Sequence, residues 1–196
     1  MYHPFELIPG RWRARLLVPL TMAALALSGW LTYRNVELMN PASPAGVWSL
    51  ALARDGYGAR MIIDTWDMLR PAAPKVDTVE GVVQQAPPSP VDSAIDLVSA
   101  RFFLIFLYVA PLSLACAWVA GPSGMPVAGF SLSIAVWAAG LLHAIENTAL
   151  LRMLLTRDPG NGEAVMASTC FAARMVMLAM IVTWLGWAWR RRRVAN

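Results

Sequence analysis

Charged residues are scarce in this chain. Aspartate, glutamate, lysine and arginine together make up 14% of its 196 residues, whereas hydrophobic residues make up 58%. Because an ordinary soluble domain carries about 25% charged residues, this balance excludes a soluble protein that hides its apolar surface in one core. The composition indicates a protein whose solvent is a membrane.

Cysteine and histidine are also rare. Cys116 and Cys170 lie far apart, each within an apolar stretch, which excludes a disulfide framework and a CxxC redox pair. The only histidines are His3 and His143, and metal or haem sites need several suitable ligands. We therefore expect no metal and no cofactor, and interpret His143 as a hydrogen-bonded structural residue.

Familiar catalytic motifs are missing. The chain has no GxSxG, P-loop, HExxH or GxGxxG sequence, so acyl transfer, nucleotide hydrolysis and zinc peptidase chemistry lack their usual signatures. The stretch Asp55–Arg60, DGYGAR, matches part of the CDP-alcohol phosphotransferase motif, but Leu52 stands where that family has an aspartate. We expect no catalytic residues, and an enzyme of another design has no positive support.

Four long apolar stretches are what the chain does contain. Each reaches or approaches the roughly 20 residues that a transmembrane helix needs. The sequence therefore predicts an all-α fold, a four-transmembrane-helix bundle that forms one integral membrane domain over residues 1–196. The predicted spans are Leu16–Thr32, Val98–Ala120, Val127–Leu151 and Met166–Trp189.

The arginines at the two ends predict the topology. Arg11, Arg13 and Arg15 precede the first span, and Arg190–Arg193 follow the last. Because such residues accumulate on the cytoplasmic side and four spans place both ends on one side, we expect both termini in the cytoplasm. Ala24–Ala26 keeps a cleaved signal peptide open, although we expect an uncleaved signal anchor.

The charge distribution indicates which partners to expect. The net charge of +4 has its positive excess at the membrane-flanking ends, which is a topology signal and not a nucleic-acid footprint. We expect membrane lipids as partners and no nucleic acid. Arginine greatly outnumbers lysine, which suggests a GC-rich bacterial genome and hence a bacterial inner (plasma) membrane.

A long extracytoplasmic segment, residues 33–97, is expected between spans one and two. Within it Gly46–Arg70 predicts a helix with a break near Gly56 and Gly58, and Pro71–Pro90 predicts an extended strap. The helix is predicted to be amphipathic, and it either lies flat on the membrane or caps the bundle. Its apolar face would carry Met61, Ile62, Trp66 and Leu69, with Asp64 and Asp67 facing away.

Polar residues inside the spans are the candidate site. His143, Glu146 and Asn147 share one helical face of span three by their i, i+3 and i+4 spacing. Ionisable residues in a span are costly without a partner or a water-filled cavity. An antiparallel hairpin would bring Arg174 of span four to the depth of Glu146. The predicted structural cluster or pocket is Asp96, Arg101, His143, Glu146, Asn147 and Arg174.

Several short motifs together resemble a known group of proteins. They are Gly46–Leu50, Asp64–Trp66, Asp96, Tyr108 and His143-xx-Glu146-Asn147. This arrangement is similar to uncharacterised bacterial four-span integral membrane proteins with a DxxEN-like motif in the third span, in which His143 would replace the acidic residue. The resemblance implies a fold and no activity.

These features favour one function and leave a second open. We expect a noncatalytic multi-pass membrane protein, an accessory or assembly subunit of a larger membrane complex or a self-associating bundle, because short loops leave much helix surface for partners. The alternative is a small-molecule or lipid-binding protein, a transporter component or enzyme, that uses the polar cluster as an outer-leaflet pocket.

Overall fold

The structure is a computed structural model that describes residues 10–69, 88–120 and 124–195, with side chains from residue 15 to residue 191. Over these ranges the chain is helical, with turns and loops between the helices. The helices are α1 (Gly10–Val36), α2 (Val47–Ala51), α3 (Gly56–Met68), α4 (Pro90–Ala120), α5 (Pro126–Thr156) and α6 (Asn161–Ala195).

Four of these helices, α1, α4, α5 and α6, are long and apolar enough to cross a membrane. This confirms the predicted all-helical fold with four candidate spans. Each helix is longer than its predicted span, since hydropathy detects only the apolar part of a helix. The ends of a helix are set instead by local capping.

The start of α4 and the end of α5 illustrate that capping. Ser89 and Asp92 form a reciprocal cap, in which the Ser89 hydroxyl accepts from the Asp92 N–H at 3.1 Å and the Asp92 carboxylate accepts from Ser89. Pro90 then occupies the first turn of α4, where a missing N–H costs nothing. At the end of α5, Arg157 is the C-terminal capping residue and has a left-handed conformation with φ 53°.

The long helices pack as a bundle in which α5 contacts both α4 and α6, and α1 lies against α4. Glycines permit the closest approach. A Cβ on Gly129 would lie 2.1 Å from the Ala120 Cβ, and a Cβ on Gly140 would lie 2.7 Å from Val109 Cγ2. The α4–α5 contact therefore requires residues without side chains at these two positions.

One end of the bundle is covered and is named here the capped end: the start of α4, the end of α5 and the start of α6, with α2 and α3 packed on them. The opposite end, at the end of α4, the start of α5 and the end of α6, is named the open end. Apolar side chains of α4, α5 and α6 fill the core toward the open end, where Ser113 also lies against Ser133.

Helix α3 begins where Asp55 caps it. The Asp55 carboxylate accepts a hydrogen bond from the Gly58 N–H at 2.7 Å. The predicted helix is therefore interrupted before Gly56, and the DGYGAR stretch has a structural role at the N-terminus of α3.

The core of the capped end is built around Trp66. This side chain is fully buried, and its indole N–H donates to the Leu38 carbonyl at 3.1 Å and to the Ser43 hydroxyl at 3.0 Å. Met61 and Leu69, predicted for the apolar face, are instead 49% and 55% exposed. The face that packs on the bundle is rotated from the predicted one and comprises Ala59, Ile62, Ile63 and Trp66.

Polar contacts also join α3 to the turn between α5 and α6. Arg60 forms an ion pair with Asp158, and Arg157 donates to Asp67 at 2.8 Å. The N–H of Gly56, the first residue of α3, donates to the side-chain oxygen of Asn161 on α6 at 2.7 Å. Most of the predicted proline-rich strap, through residue 87, lies outside the described residues.

Candidate functional site

Three helices bring one acid and two arginines together. Arg101 on α4, Glu146 on α5 and Arg174 on α6 lie at similar distances from the capped end, about 15–20 Å along their helices at 1.5 Å per residue. All three side chains are buried, and Glu146 has no exposed surface. We name this group the ionic trio.

The geometry of the ionic trio is asymmetric. Arg174 donates from Nε and approaches with Nη2 to the same carboxylate oxygen, Oε2 of Glu146, at 3.0 and 2.9 Å. Arg101 approaches the other oxygen, Oε1, at 3.4 Å. One carboxylate therefore serves two guanidinium groups, and Arg174 holds the closer contact.

Aromatic and small residues shape the surroundings of the trio. The guanidinium of Arg174 lies 5.3 Å from the centre of the Phe171 ring, a distance at which a cation is attracted to the ring face. One turn and a half before Glu146, Gly140 lets α5 approach α4 at Val109. This close approach brings the α4 and α5 members of the trio within reach of each other.

His143 contacts a tyrosine that the sequence did not assign to the cluster. Its Nδ1 lies 3.4 Å from the hydroxyl of Tyr108, and the two rings are tilted with centroids 5.9 Å apart. His143 is 2% exposed. Its Nε2 has no hydrogen-bond partner among the described residues.

Asn147 and Asp96 complete the predicted cluster, and the structure treats them differently. Asn147 is fully buried, and its amide oxygen and nitrogen have no hydrogen-bond partner within the described ranges. Asp96 is exposed on α4. The structure therefore does not bring Asp96 into the cluster. The other predicted residues lie buried together beside Asn147: Arg101, His143, Glu146 and Arg174.

A cavity of about 510 Å³ lies against the trio, between α1 on one side and α6 on the other. Arg101, His143 and Arg174 reach it, while most of its remaining surface is apolar. The rim includes the segment between α1 and α2. Residues of the wall and rim include Leu31, Asn35, Trp48, Leu97, Leu104 and Phe171.

The rim is held in place by Asn35. Its side-chain amide donates to the Ala45 carbonyl at 3.0 Å and accepts from the Val47 N–H at 2.8 Å. Between these residues Gly46 has φ +60°, and a Cβ there would lie 2.5 Å from the Asn35 Oδ1. The segment that borders the cavity therefore has a fixed backbone conformation.

The chemistry offered by this site is charge and hydrogen bonding. Among the described residues, no group of three or more histidine, cysteine, aspartate or glutamate side chains is placed to hold a metal ion. The side chains that line the cavity next to the trio supply two guanidinium groups and one imidazole. Such groups recognise oxygen anions by charge-assisted hydrogen bonds.

Comparison with known proteins adds no assignment. No family model matches the chain, and neither the curated proteins nor the solved structures contain a match. The resemblance to bacterial four-span proteins with a DxxEN-like motif stays a prediction.

Proposed function

We propose that this chain is a noncatalytic multi-pass membrane protein that acts as an accessory or assembly subunit of a larger membrane complex. The observation that carries the proposal is a second apolar face on α3. Tyr57, Met61 and Met68 are 75%, 49% and 84% exposed. At 100° per residue they share one side of the helix, opposite the side that packs on the bundle.

The position of this face favours a protein partner over lipid. The face of α3 with Ile62 and Trp66 packs on the capped end, so the face with Met61 points away from the bundle. Exposed apolar patches are typical of interaction sites, and this one lies outside the helices that are long and apolar enough to cross a membrane. Aromatic residues and methionine are the types enriched at protein interfaces.

Asp64 defines the chemistry of the proposed partner. It is exposed on the same side of the helix, between Met61 and Met68 along the chain and close to Tyr57 in the helical projection. No ion pair of Asp64 is present among the described residues. We therefore infer an apolar partner surface that carries a lysine or arginine opposite Asp64.

The proposed setting is a bacterial inner membrane, with both termini in the cytoplasm and the capped end outside, so that residues 33–97 form the extracytoplasmic segment with α3 as its amphipathic helix. The arginines that flank the first and last spans support this orientation. At the open end, Arg191 lies 4.5 Å from the Trp187 ring and Trp118 stacks edge-on with Trp189. Tryptophan and arginine at a helix end favour a membrane interface there.

A photocrosslinking experiment in cells tests the partner. A photoreactive amino acid replaces Met61 or, as a control, Leu52, which is also exposed but lies outside α3. We expect position 61 to give one defined membrane-protein adduct that copurifies at fixed stoichiometry, and the control to give none. Asp64→Lys should abolish that adduct without changing the thermal stability of the purified protein.

Two results would contradict this function. One is a crosslinking pattern at position 61 that contains lipid alone. The other is an unchanged adduct in Asp64→Lys together with solitary migration of the chain after gentle extraction. An adduct with a second copy of the chain would identify the complex as a self-associated bundle, which is the form of the proposal without a foreign partner.

A further inference from the structure

The cavity beside the ionic trio is lined by two buried arginines and by apolar side chains, a combination that helix packing alone does not require. We propose that it binds a membrane amphiphile whose head group carries one negative charge on oxygen atoms and whose hydrocarbon chain lies along the apolar walls. This site is separate from the α3 face described above, and it does not depend on the proposed partner.

The first argument is the charge of the trio. Arg101 and Arg174 contribute two positive charges, and Glu146 contributes one negative charge. A buried cation without a counterion is unfavourable at membrane depth. One further negative charge next to Arg101 would balance the group.

The second argument is the unequal engagement of the two arginines. Arg174 uses Nε and Nη2 on one Glu146 oxygen. Arg101 makes only the 3.4 Å approach, and its Nη1 has no hydrogen-bond partner among the described residues although the side chain is only 9% exposed. Because a guanidinium carries five donors in a rigid plane, a small rotation of Arg101 presents a donor to an oxygen anion in the cavity.

The third argument is the composition of the walls. Leu31 of α1, Leu97 and Leu104 of α4, and Phe171 and Met175 of α6 line the cavity. Its volume of about 510 Å³ lies within the range of small-molecule sites, roughly 300–1,000 Å³. The site combines a cationic floor with apolar walls, which is the complement of an anionic head group joined to a hydrocarbon chain.

The fourth argument is access from the bilayer. α1 packs mainly on α4 and has no substantial contact with α6, and the cavity occupies the space between α1 and α6. An opening between two membrane-spanning helices admits a lipid laterally. A fatty-acid carboxylate and a phosphodiester head group share the required chemistry, and the experiment below separates them.

Native mass spectrometry of the purified full-length protein in detergent tests the site with three probes: palmitate, phosphatidylglycerol and, as a zwitterionic control, phosphatidylcholine. We expect at least one anionic probe to bind at a one-to-one ratio and phosphatidylcholine to bind more weakly by about tenfold or more, as the loss of a charge-assisted contact implies. Binding of palmitate alone identifies a fatty acid, and binding of phosphatidylglycerol identifies a phospholipid.

Two variants separate ligand binding from folding. Arg101→Gln leaves Glu146 and Arg174 as a neutral pair, so we expect the protein to fold with a smaller loss of stability than Glu146→Gln causes, and its affinity for the anionic probe to fall about tenfold or more. Ser28→Trp adds a large side chain to the α1 wall of the cavity and leaves all three members of the trio unchanged in sequence, and it should also remove binding. Leu25→Trp, at an exposed position of α1 that does not line the cavity, is the matched control and should bind normally.

The proposal fails on either of two results. Equal binding of anionic and zwitterionic probes would show that charge does not select the ligand. Unchanged binding in both Arg101→Gln and Ser28→Trp would show that any bound amphiphile lies elsewhere on the protein.

Discussion

The half of the bundle nearer the capped end and the half nearer the open end are held together by different forces. In the half nearer the capped end, Glu146 on α5 contacts arginines from both neighbouring helices, so charge links three helices at one depth. Toward the open end, the contacts depend on size. Gly129 lets α5 approach Ala120 of α4, and Ser113 lies against Ser133 in the same pair of helices.

This difference indicates how the relative positions of packed helices are determined in an apolar environment. Hydrophobic burial gives little preference between helix positions in lipid, so close van der Waals packing and polar contacts decide the association. Small residues fix the distance between α4 and α5. The ionic trio restricts how far the helices can slide along one another, because Glu146 meets both arginines only at one relative height of α4, α5 and α6.

The largest expected effect comes from disrupting the ionic trio. Glu146→Gln leaves Arg101 and Arg174 buried without their counterion. The loss of one partner of a buried ion pair costs about 3–5 kcal/mol, so we expect a fall of that size in the free energy of unfolding, measured by steric trapping in lipid. A change below about 1 kcal/mol would show that the charges of the trio do not hold α4, α5 and α6 together.

An intermediate effect is expected in the contact between α4 and α5 that depends on size. Gly129→Val forces a side chain into Ala120 and the Cys116 carbonyl, and overpacking costs about 1–3 kcal/mol. Gly186→Ala on α6 is the control, since its Cβ would meet nothing within 4 Å. We expect thermal denaturation in detergent to show loss of stability in the first variant and none in the second.

The fold was predictable to the extent that hydropathy and local turns determine it. Four apolar stretches indicated four long helices, and the i, i+3, i+4 pattern put His143 and Glu146 on one face. The pattern did not determine how α3 is rotated on the bundle. Met61 and Leu69 are exposed while Ile63 is buried, because several bundle helices contribute to the surface against which α3 packs.

The candidate site was predictable in its charged members and less so in their surroundings. Matching depths on an antiparallel hairpin placed Arg174 near Glu146, and the structure has them in contact. Depth alone also suggested Asp96, but this residue is exposed on α4. The contact of Tyr108 with His143 depends on the rotation of α4 about its axis, which the sequence pattern does not fix.

A smaller effect is expected from the contacts that attach α3 at the capped end. Trp66→Phe removes the indole N–H that donates to Leu38 and Ser43 while it keeps most of the buried ring. We expect a loss of about 1 kcal/mol and faster amide hydrogen exchange in α3. Trp48→Phe, at a residue that is 49% exposed, should leave both measurements unchanged. Equal behaviour of the two variants would contradict a central role of Trp66 in the cap.

The smallest effect is expected from the exposed ion pair between α3 and the α5–α6 turn. Arg60 and Asp158 are 52% and 73% exposed at the side chain, and such pairs contribute about 0–1 kcal/mol. Arg60→Gln should lower the melting temperature slightly at low salt and not at high salt, because salt screens exposed charges. A large loss at both ionic strengths would contradict the interpretation of this contact as a weak ion pair that salt screens.

A double-mutant cycle on Glu146 and Arg174 tests the central claim most directly. The free energy of unfolding is measured for the unaltered protein, Glu146→Gln, Arg174→Met and the variant with both changes. We predict that both single variants lose stability and that the paired variant loses less than their sum, with a coupling of about 1–3 kcal/mol. Additive losses, with coupling below about 0.5 kcal/mol, would contradict the claim that these two buried charges stabilise each other.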